Sequence, residues 1–296
     1  MTGFNLNKVK RQFLKMLEES FSKREAEQMM RIVLDDLFGL DLKTELMKPE
    51  LRIDEVEYSI LKDAVDQLLK GIPVQYVTRK AWFDGLLFYV DKSVLIPRPE
   101  TEGLVQLVAE ELARRTAGSG EATVEGPLRI WDVGTGSGCI AVALAKRFPH
   151  VEVVAFDVSE KALVTAKMNV LINGVNVELV CDDVLHPQSE VWQQPVDLVV
   201  SNPPYVRECE KAAMEGNVLD HEPHLALFVP DDDPLLFYRQ ILTLAKPQLN
   251  PQGSVWFEIN ETLGDEMLQL AQEMGFEAKL HKDFAEKPRF VSIVME

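Results

Sequence analysis

Residues 129–148 read RIWDVGTGSGCIAVALAKRF and divide into an apolar strand, a glycine-rich turn and a helix. Gly134, Gly136 and Gly138 let the backbone pass close to a ligand, because no Cβ stands in the way. Their spacing is G-x-G-x-G, which differs from the G-x-G-x-x-G of dinucleotide-binding dehydrogenases. The stretch alone predicts a tight strand-to-helix turn, so a nucleoside site needs support from neighbouring segments.

Downstream of this turn, strand-like and helix-like segments alternate to the end of the chain. Such alternation is typical of a doubly wound α/β fold with a parallel sheet. The last two apolar runs are joined by a short loop and predict an antiparallel final strand. We therefore expect a seven-stranded, mostly parallel sheet. Its strands are predicted at 129–133, 151–157, 176–180, 196–201, 253–259, 275–281 and 288–295.

The N-terminal part of the chain has a different character, because apolar residues recur there at helical spacing. Ser22 and Glu25 form a capping-box pattern before one such segment, which closes near Gly39. Three or four short helices are expected, followed by a β-hairpin around the turn signal Asp84-Gly85. We predict a helical domain over 1–75 that recognises the substrate, a hairpin linker over 76–100 and an α/β domain over 101–296.

Charge and composition limit the partners of the protein. The 296-residue chain has a formal charge of −17; residues 1–75 hold 12 basic and 14 acidic side chains, so the other 221 residues carry −15. Such a surface repels phosphates, so we expect no direct nucleic-acid partner. No apolar run reaches the roughly 18 residues of a membrane span. The cysteines at 139, 181 and 209 are scattered and lack metal-ligand spacing, so we expect no metal site. We also expect the protein to be a cytoplasmic monomer that does not contact membranes.

Acidic residues occupy or follow the three strands around the glycine turn. Asp132 lies in the first strand, Asp157 ends the second, and Asp182 and Asp183 follow the third. Ligands of open parallel sheets bind at the carboxyl ends of strands, so these acids, the glycines and Asn202 should converge on one crevice. Each acid alone would more often be a surface charge or a helix cap. Together they predict a nucleoside site suited to a ligand with positive charge.

The fourth strand of the sheet runs into a stiff loop, LVVSNPPYV at 198–206. Consecutive prolines cannot extend a central strand, and each restricts the residue before it to extended geometry. A rigid turn that caps the strand would explain the prolines. It would not explain an Asn and a Tyr placed beside a nucleoside pocket.

In combination, DVGTGSG and NPPY resemble the cofactor loop and the signature of class I S-adenosylmethionine-dependent methyltransferases that act on amino or amide nitrogen. Three more stretches, GIPVQYV at 71–77, LIPRPETE at 95–102 and HEPHLALF at 221–228, resemble the HemK/PrmC protein-glutamine methyltransferases. The resemblance covers nearly the whole chain. It implies methyl transfer from S-adenosylmethionine to the glutamine N5 of the Gly-Gly-Gln motif in peptide-chain release factors, leaving S-adenosylhomocysteine.

The resemblance also implies roles for individual residues. Asn202, Pro203, Pro204 and Tyr205 are expected to bind the substrate and to act in catalysis. The Asn202 side-chain oxygen and the Pro203 carbonyl would each accept one amide N–H, and Tyr205 would pack against the planar amide. The residues expected to bind the cofactor are Asp132, Gly134, Thr135, Gly136, Ser137, Gly138, Asp157, Asp182, Asp183 and Asn202.

Two other functions share part of this pattern. An rRNA or DNA amino-group methyltransferase would carry the same NPPY and glycine turn, but the charge of −15 argues against it. A non-catalytic binding module would keep the fold and lose cofactor binding. The sequence also departs from the HemK/PrmC pattern at Asp183, at Pro230–Pro234 and at Asn260. Glu100, Thr101 and Glu102 either cap a helix or reach the pocket.

Overall fold

The computed structural model describes residues 3–48, 50–117, 126–213 and 216–296. They form two compact units. The first unit runs to Lys80 and includes the short helix Gly216–His221, and the second comprises the other described residues from Ala81 onward. Among the described helices, none is both long and apolar enough to cross a bilayer.

Helices and strands are numbered in chain order across both units. The helices are α1 (Leu6–Leu17), α2 (Lys23–Phe38), α3 (Leu42–Met47), α4 (Glu55–Leu68), α5 (Val74–Thr78), α6 (Pro99–Ala117), α7 (Cys139–Arg147), α8 (Glu160–Asn173), α9 (Gly216–His221), α10 (Leu236–Ala245) and α11 (Gly264–Glu273). The strands are β1 (Phe4–Asn5), β2 (Arg52–Ile53), β3 (Lys80–Phe83), β4 (Leu86–Tyr89), β5 (Arg129–Val133), β6 (Glu152–Asp157), β7 (Glu178–Cys181), β8 (Val196–Ser201), β9 (Val206–Arg207), β10 (Phe228–Val229), β11 (Leu249–Glu258), β12 (Phe276–Lys282) and β13 (Pro288–Met295).

The first unit is a small helical bundle with its own apolar core. The predicted capping box begins α2, because the Ser22 hydroxyl accepts from the Glu25 amide and the Glu25 carboxylate accepts from the Ser22 amide. Gly39 ends this helix with φ 64°, as predicted. The buried core comprises Leu6, Val9, Phe13, Leu17, Ala26, Met30, Val33, Leu34, Ile53, Leu61, Ala64, Val65, Leu68 and Val74.

The second unit contains the predicted seven-stranded sheet, in the order β12-β13-β11-β8-β5-β6-β7. Strand β13 is antiparallel to both neighbours, and the other neighbouring pairs are parallel. The fold prediction is therefore confirmed. Strand β11 begins at Leu249 rather than at 253, because a register shift between Leu249 and Ser254 lets the strand continue through a residue of positive φ, Gln252.

The predicted hairpin is also present, since Asp84 and Gly85 join β3 to β4 with φ values of 53° and 71°. Two successive positive φ values are typical of a type I′ hairpin turn. After the hairpin, α6 extends from Pro99 to Ala117, so Glu100, Thr101 and Glu102 lie in its first turn.

The strand order places a topological switch point between β5 and β8. The chain builds β6 and β7 on one side of β5 and then returns to add β8 on the other side. Ligands of open α/β sheets bind at such a point, outside the carboxyl ends of the strands. The Ser201 hydroxyl donates to the Val133 carbonyl oxygen over 2.6 Å and joins the two strand ends.

Candidate active site

A cleft lies at the carboxyl ends of β5, β6, β7 and β8, within the second unit. It holds about 1140 Å³ of empty space, open solvent included, which leaves room for a small-molecule ligand. Asp132, Gly138 and Tyr205 do not line it. The predicted site residues that do line it are Gly134, Thr135, Gly136, Ser137, Asp157, Asp182, Asp183, Asn202, Pro203 and Pro204.

The glycine turn is folded back onto the end of β6 by its own amides. Gly134 and Thr135 both donate to the Phe156 carbonyl oxygen over 2.9 Å, and the Gly136 amide donates to Asp157 Oδ2 over 2.8 Å. Gly136 has φ 55°, and nothing lies within 4 Å of the place that a Cβ would take. A ligand in the cleft can therefore approach this backbone directly.

Gly138 has a packing role. It has φ 79°, and a Cβ here would lie 3.2 Å from the Ala166 Cβ on α8. Its amide donates to the Thr135 carbonyl oxygen at the start of α7. The missing side chain thus allows α7 and α8 to approach each other, while a direct contact between Gly138 and the cofactor stays a prediction.

Asp132 is fully buried behind the turn. Its Oδ2 accepts from the Thr135 hydroxyl over 2.6 Å and from the Ala141 amide over 3.1 Å, and so fixes the turn to the first part of α7. Its Oδ1 receives no hydrogen bond from the described residues. Burial raises the pKa of Asp132 to about 7, against the lowering effect of both hydrogen bonds.

Asp157 connects the glycine turn to the loop that enters α8. Its Oδ2 accepts from the Gly136 amide and its Oδ1 accepts from the Ser159 amide over 2.9 Å. Burial raises the pKa of Asp157, and the two amides oppose this rise. Each carboxylate oxygen has a second lone pair, so Asp157 can still accept from a ligand hydroxyl in the cleft.

Asp182 is occupied by its own loop, although it borders the cleft. Its carboxylate accepts from the Trp192 indole over 2.8 Å and from the amides of Asp183, Gln188 and Ser189. Burial alone would raise the pKa of Asp182, but these hydrogen bonds together hold it below its ordinary value. Its expected contact with the cofactor stays a prediction.

The Asp183 carboxylate, like that of Asp182, contacts residues of its own loop. Its Oδ1 accepts from the Leu185 amide and its Oδ2 lies 2.9 Å from His186 Nδ1. The carboxylate therefore stabilises a turn of the loop after β7. Asp183 still lines the cleft, and its contact with the cofactor also stays a prediction.

The loop after β8 brings Asn202 to the cleft and holds its side chain by a hydrogen bond. Asn202 Nδ2 donates to the Thr101 hydroxyl over 3.1 Å, and that hydroxyl donates to Glu258 Oε2 over 2.6 Å. The Tyr205 hydroxyl donates to Glu258 Oε1 over 3.2 Å. Tyr205 thus bonds the buried Glu258 carboxylate at the end of β11 directly, and Asn202 is linked to it through Thr101.

Sequence reasoning missed two groups that border this site. Arg98, which lines the cleft, contacts the buried Glu222 over 2.6 Å, and Glu222 also accepts from the Ile96 amide. The signal for this pair was present, because Arg98 lies in LIPRPETE and Glu222 in HEPHLALF. Glu258 is the second group. It ends β11 and lies two residues before Asn260, where the sequence departs from the HemK/PrmC pattern, but no role was expected for it.

The residues present fit the nucleoside cofactor that the resemblance implies. Asp157 retains acceptor capacity for ribose hydroxyls, and Gly136 leaves its backbone open to the cleft. Asp132 offers a buried oxygen without a described partner, and the carboxylates of this edge favour a cationic ligand. Apolar surface in the cleft is supplied by Ile140, Phe156, Val158 and Val184.

Replacing Asp157 by alanine should weaken cofactor binding at least about tenfold. A hydrogen bond to a charged group contributes roughly 1.5–3 kcal/mol, and about 1.4 kcal/mol corresponds to a factor of ten. Calorimetric titration with the cofactor measures the change. Glu160→Ala is the matched control, because Glu160 is an exposed acid nearby on α8. Equal affinities of parent and Asp157→Ala would contradict the assignment.

Asp132 should make the stability of the second unit depend on pH. A carboxyl group whose pKa is about 7 when folded holds its proton more tightly in the folded state than in the unfolded one. Its contribution is therefore present below about pH 4 and is lost as the pH rises through 7. Asp132→Asn cannot ionise, so its stability relative to that of the parent should rise over this range, by up to roughly 4 kcal/mol.

Urea unfolding at several pH values tests this expectation. All four tryptophans, at 82, 131, 192 and 256, lie in the second unit, so their fluorescence reports on that unit. Only the difference between the two proteins is interpreted, since other groups titrate in both. Parallel pH profiles of parent and variant would show that Asp132 has no raised pKa.

Comparisons with known proteins agree with this architecture. Residues 122–221 match the family model "Methyltransferase small domain", and residues 11–78 match "PrmC N-terminal domain". The release factor glutamine methyltransferase of Flavobacterium psychrophilum is 40% identical over 283 residues, which cover 95% of this chain and 96% of that protein. The protein of the same name from Bacteroides thetaiotaomicron is 36% identical, with coverage of 97% and 99%.

A solved structure is also similar, that of the protein-(glutamine-N5) methyltransferase (release factor-specific) from Alicyclobacillus acidocaldarius. It is 28% identical, and the match covers 71% of this chain and 99% of that chain with a TM-score of 0.40. The family assignment rests on the two sequence relatives, which align with nearly the full length of both chains. S-adenosylmethionine is accordingly the cofactor. The chain belongs to the release factor glutamine methyltransferase family.

Proposed function

We propose that this chain methylates the side-chain amide nitrogen N5 of the glutamine in the Gly-Gly-Gln motif of peptide-chain release factors. S-adenosylmethionine supplies the methyl group on a sulfonium centre, and S-adenosylhomocysteine is the product. The observation that carries the proposal is that Asn202 and Pro203 line the same cleft as the glycine turn and Asp157. The proposed amide acceptors and the residues proposed to bind the cofactor therefore line one cleft.

The chemistry of a glutamine amide explains why such acceptors are needed. Its nitrogen is a poor nucleophile, because its lone pair is delocalised into the carbonyl. The Asn202 oxygen and the Pro203 carbonyl can each accept one N–H bond and hold the nitrogen in line for transfer. Both contacts strengthen as positive charge develops on nitrogen, so they stabilise the transition state more than the ground state. The nitrogen begins with two N–H bonds and ends with one, so one proton leaves to solvent.

The Pro203-Pro204 pair supports this role by limiting motion of the loop. Proline fixes φ and restricts the preceding residue, so little conformational entropy remains to be lost on binding. The Ser201 hydroxyl anchors the start of the loop to β5. The acceptors are therefore largely in place before the substrate arrives.

The N-terminal domain, residues 1–75, is proposed to recognise the protein substrate, with residues 76–100 as a linker and 101–296 as the methyltransferase domain. Support comes from the position of the cleft, whose lining residues all lie in the second unit. The helical unit has a core of its own. It is therefore available for a partner.

The proposed partner is a protein, without direct contact to nucleic acid. The charge of −15 over residues 76–296 disfavours phosphate-rich surfaces. We further propose that the enzyme is a monomer and that it acts in the cytoplasm, where its proposed substrates are expected. An rRNA or DNA amino-group methyltransferase is the alternative that the same loop would permit.

The decisive experiment incubates the protein with labelled S-adenosylmethionine and a purified release factor, followed by mass mapping of the product. We expect one added methyl group on the glutamine of Gly-Gly-Gln. A release factor with that glutamine replaced is the control and should stay unlabelled. Label found in ribosomal RNA, with none in the release factor, would support the alternative function.

A further inference from the structure

We propose that Thr101 and Glu258 are positioning residues that orient the Asn202 amide, with its oxygen towards the substrate and its NH2 group away. The inference rests on the proposed function and deepens it. The residues lie on three separate segments: Thr101 near the start of α6, Asn202 in the loop after β8, and Glu258 at the end of β11. Of these three residues, Asn202 belongs to the NPPY signature, and Thr101 and Glu258 do not.

The orientation of Asn202 matters because the two ends of its amide have opposite hydrogen-bonding properties. The oxygen accepts, whereas the NH2 group only donates. A glutamine NH2 group in the cleft also donates, so it needs the Asn202 oxygen. The two orientations differ little in shape, so neighbouring donors and acceptors must select between them.

Thr101 makes this selection through the single proton of its hydroxyl. That proton is donated to Glu258 Oε2 over 2.6 Å. The other oxygen of the same carboxyl group, Oε1, accepts from the Tyr205 hydroxyl, so both oxygens act as acceptors, which is the pattern of an ionised carboxylate. The Thr101 oxygen is therefore left as an acceptor, and Asn202 Nδ2 donates to it over 3.1 Å. A reversed amide would place two oxygens against each other without a proton between them.

Glu258 is held in place by further contacts. The Tyr205 hydroxyl donates to its Oε1, and burial raises the pKa of Tyr205, which keeps this phenol protonated. The Tyr238 hydroxyl donates to the Glu258 backbone oxygen over 3.1 Å. Burial raises the pKa of Glu258, and the charge of Glu100 raises it further. The hydrogen bonds from the Thr101 and Tyr205 hydroxyls and the positive charge of Arg289 lower it.

The burial of the pair suits a positioning role. Thr101 is 3% exposed and Glu258 is 2% exposed, so water competes little for the hydrogen bonds that join them. Thr101 also lines the cleft, while Glu258 does not. Among the described residues that bond this carboxylate through their side chains, Thr101 is the one that lines the cleft, so we expect the carboxylate to act on the substrate through Thr101.

The test compares Thr101→Val with Thr101→Ser, which removes and retains the hydroxyl respectively. At saturating cofactor, kcat for release factor should fall roughly 10–100-fold in Thr101→Val, since small misplacements of a reacting group cost up to about 10²-fold. Thr101→Ser should stay within about threefold of the parent. Thr116→Val is the control on the same helix, because the Thr116 hydroxyl donates to the α6 backbone at Leu112 and Ala113.

Glu258→Gln should lower kcat similarly. The NH2 group of the new glutamine can donate to the Thr101 hydroxyl, which would then donate to Asn202 and favour the reversed orientation of the Asn202 amide. The double variant Thr101→Val/Glu258→Gln should be no slower than the slower single variant, since both act through one contact. Calorimetry and thermal unfolding should show cofactor affinity and Tm changed much less than kcat in Thr101→Val. This split separates positioning from a merely structural effect.

Three results would overturn the inference: parent-like kcat in Thr101→Val, equal losses in Thr101→Val and Thr101→Ser, or multiplicative losses in the double variant. A parent enzyme that does not methylate release factor overturns the proposed function and this inference together. An active parent with an equally active Thr101→Val overturns the inference alone.

Discussion

Replacing Asn202 by alanine is expected to lower the single-turnover rate of release factor methylation roughly 10²–10³-fold. The variant loses the side-chain oxygen that accepts one N–H of the glutamine, and this contact is strongest when charge develops on nitrogen. Cofactor affinity should change much less, because the glycine turn and Asp157 are anchored to β6 and not to Asn202. The loss should therefore appear in the rate and not in cofactor binding.

Rapid mixing of enzyme, cofactor and release factor measures this rate, and calorimetry measures the affinity. Asn202→Asp keeps an acceptor but introduces a charge, and it should restore only part of the rate. Asn176→Ala is the matched control, since Asn176 is exposed in the loop that enters β7 at the other end of the sheet. If Asn202→Ala methylates glutamine at the parent rate, the two-acceptor mechanism is wrong and the NPPY loop is a structural turn.

The sequence predicted the sheet and the position of the cleft because both depend on local patterns. Each apolar strand pattern, the glycine turn and the acid at the end of β6 are visible within about twenty residues. The rule that ligands bind at carboxyl ends of parallel strands then brought Asp157, Gly136 and Asn202 together. The structure places all three on one cleft.

The uses of individual side chains were harder to predict, because they depend on contacts between distant segments. Asp182 follows a strand like Asp157, yet its carboxylate accepts from Trp192 and from the amides of its own loop. Glu258 contacts Thr101 across 157 positions in the chain, a pairing that no local pattern specifies. The packing of Tyr205 against a substrate amide stays a prediction, and the structure shows its hydroxyl donating to Glu258.

Removing residues 1–80, the main part of the first unit, is expected to abolish efficient methylation of intact release factor while preserving the cofactor site. A chain shortened to residues 81–296 keeps every residue that lines the cleft, so its cofactor affinity should stay within about threefold of the parent. If the helical unit recognises the protein, the shortened chain loses that contact surface. A few central interface residues contribute about 2 kcal/mol or more each, so kcat/KM for intact release factor should fall at least about 10³-fold.

A short peptide containing Gly-Gly-Gln provides the matched substrate, because it is too small to reach a separate recognition surface. The parent and the shortened chain should methylate this peptide with similar kcat/KM, and the parent alone should prefer the intact protein. A shortened chain that binds cofactor but is inactive on both substrates would place the first unit in catalysis itself. Parent-like kcat/KM on intact release factor would refute recognition by the first unit, because the second unit would then contain all that is needed to select the substrate.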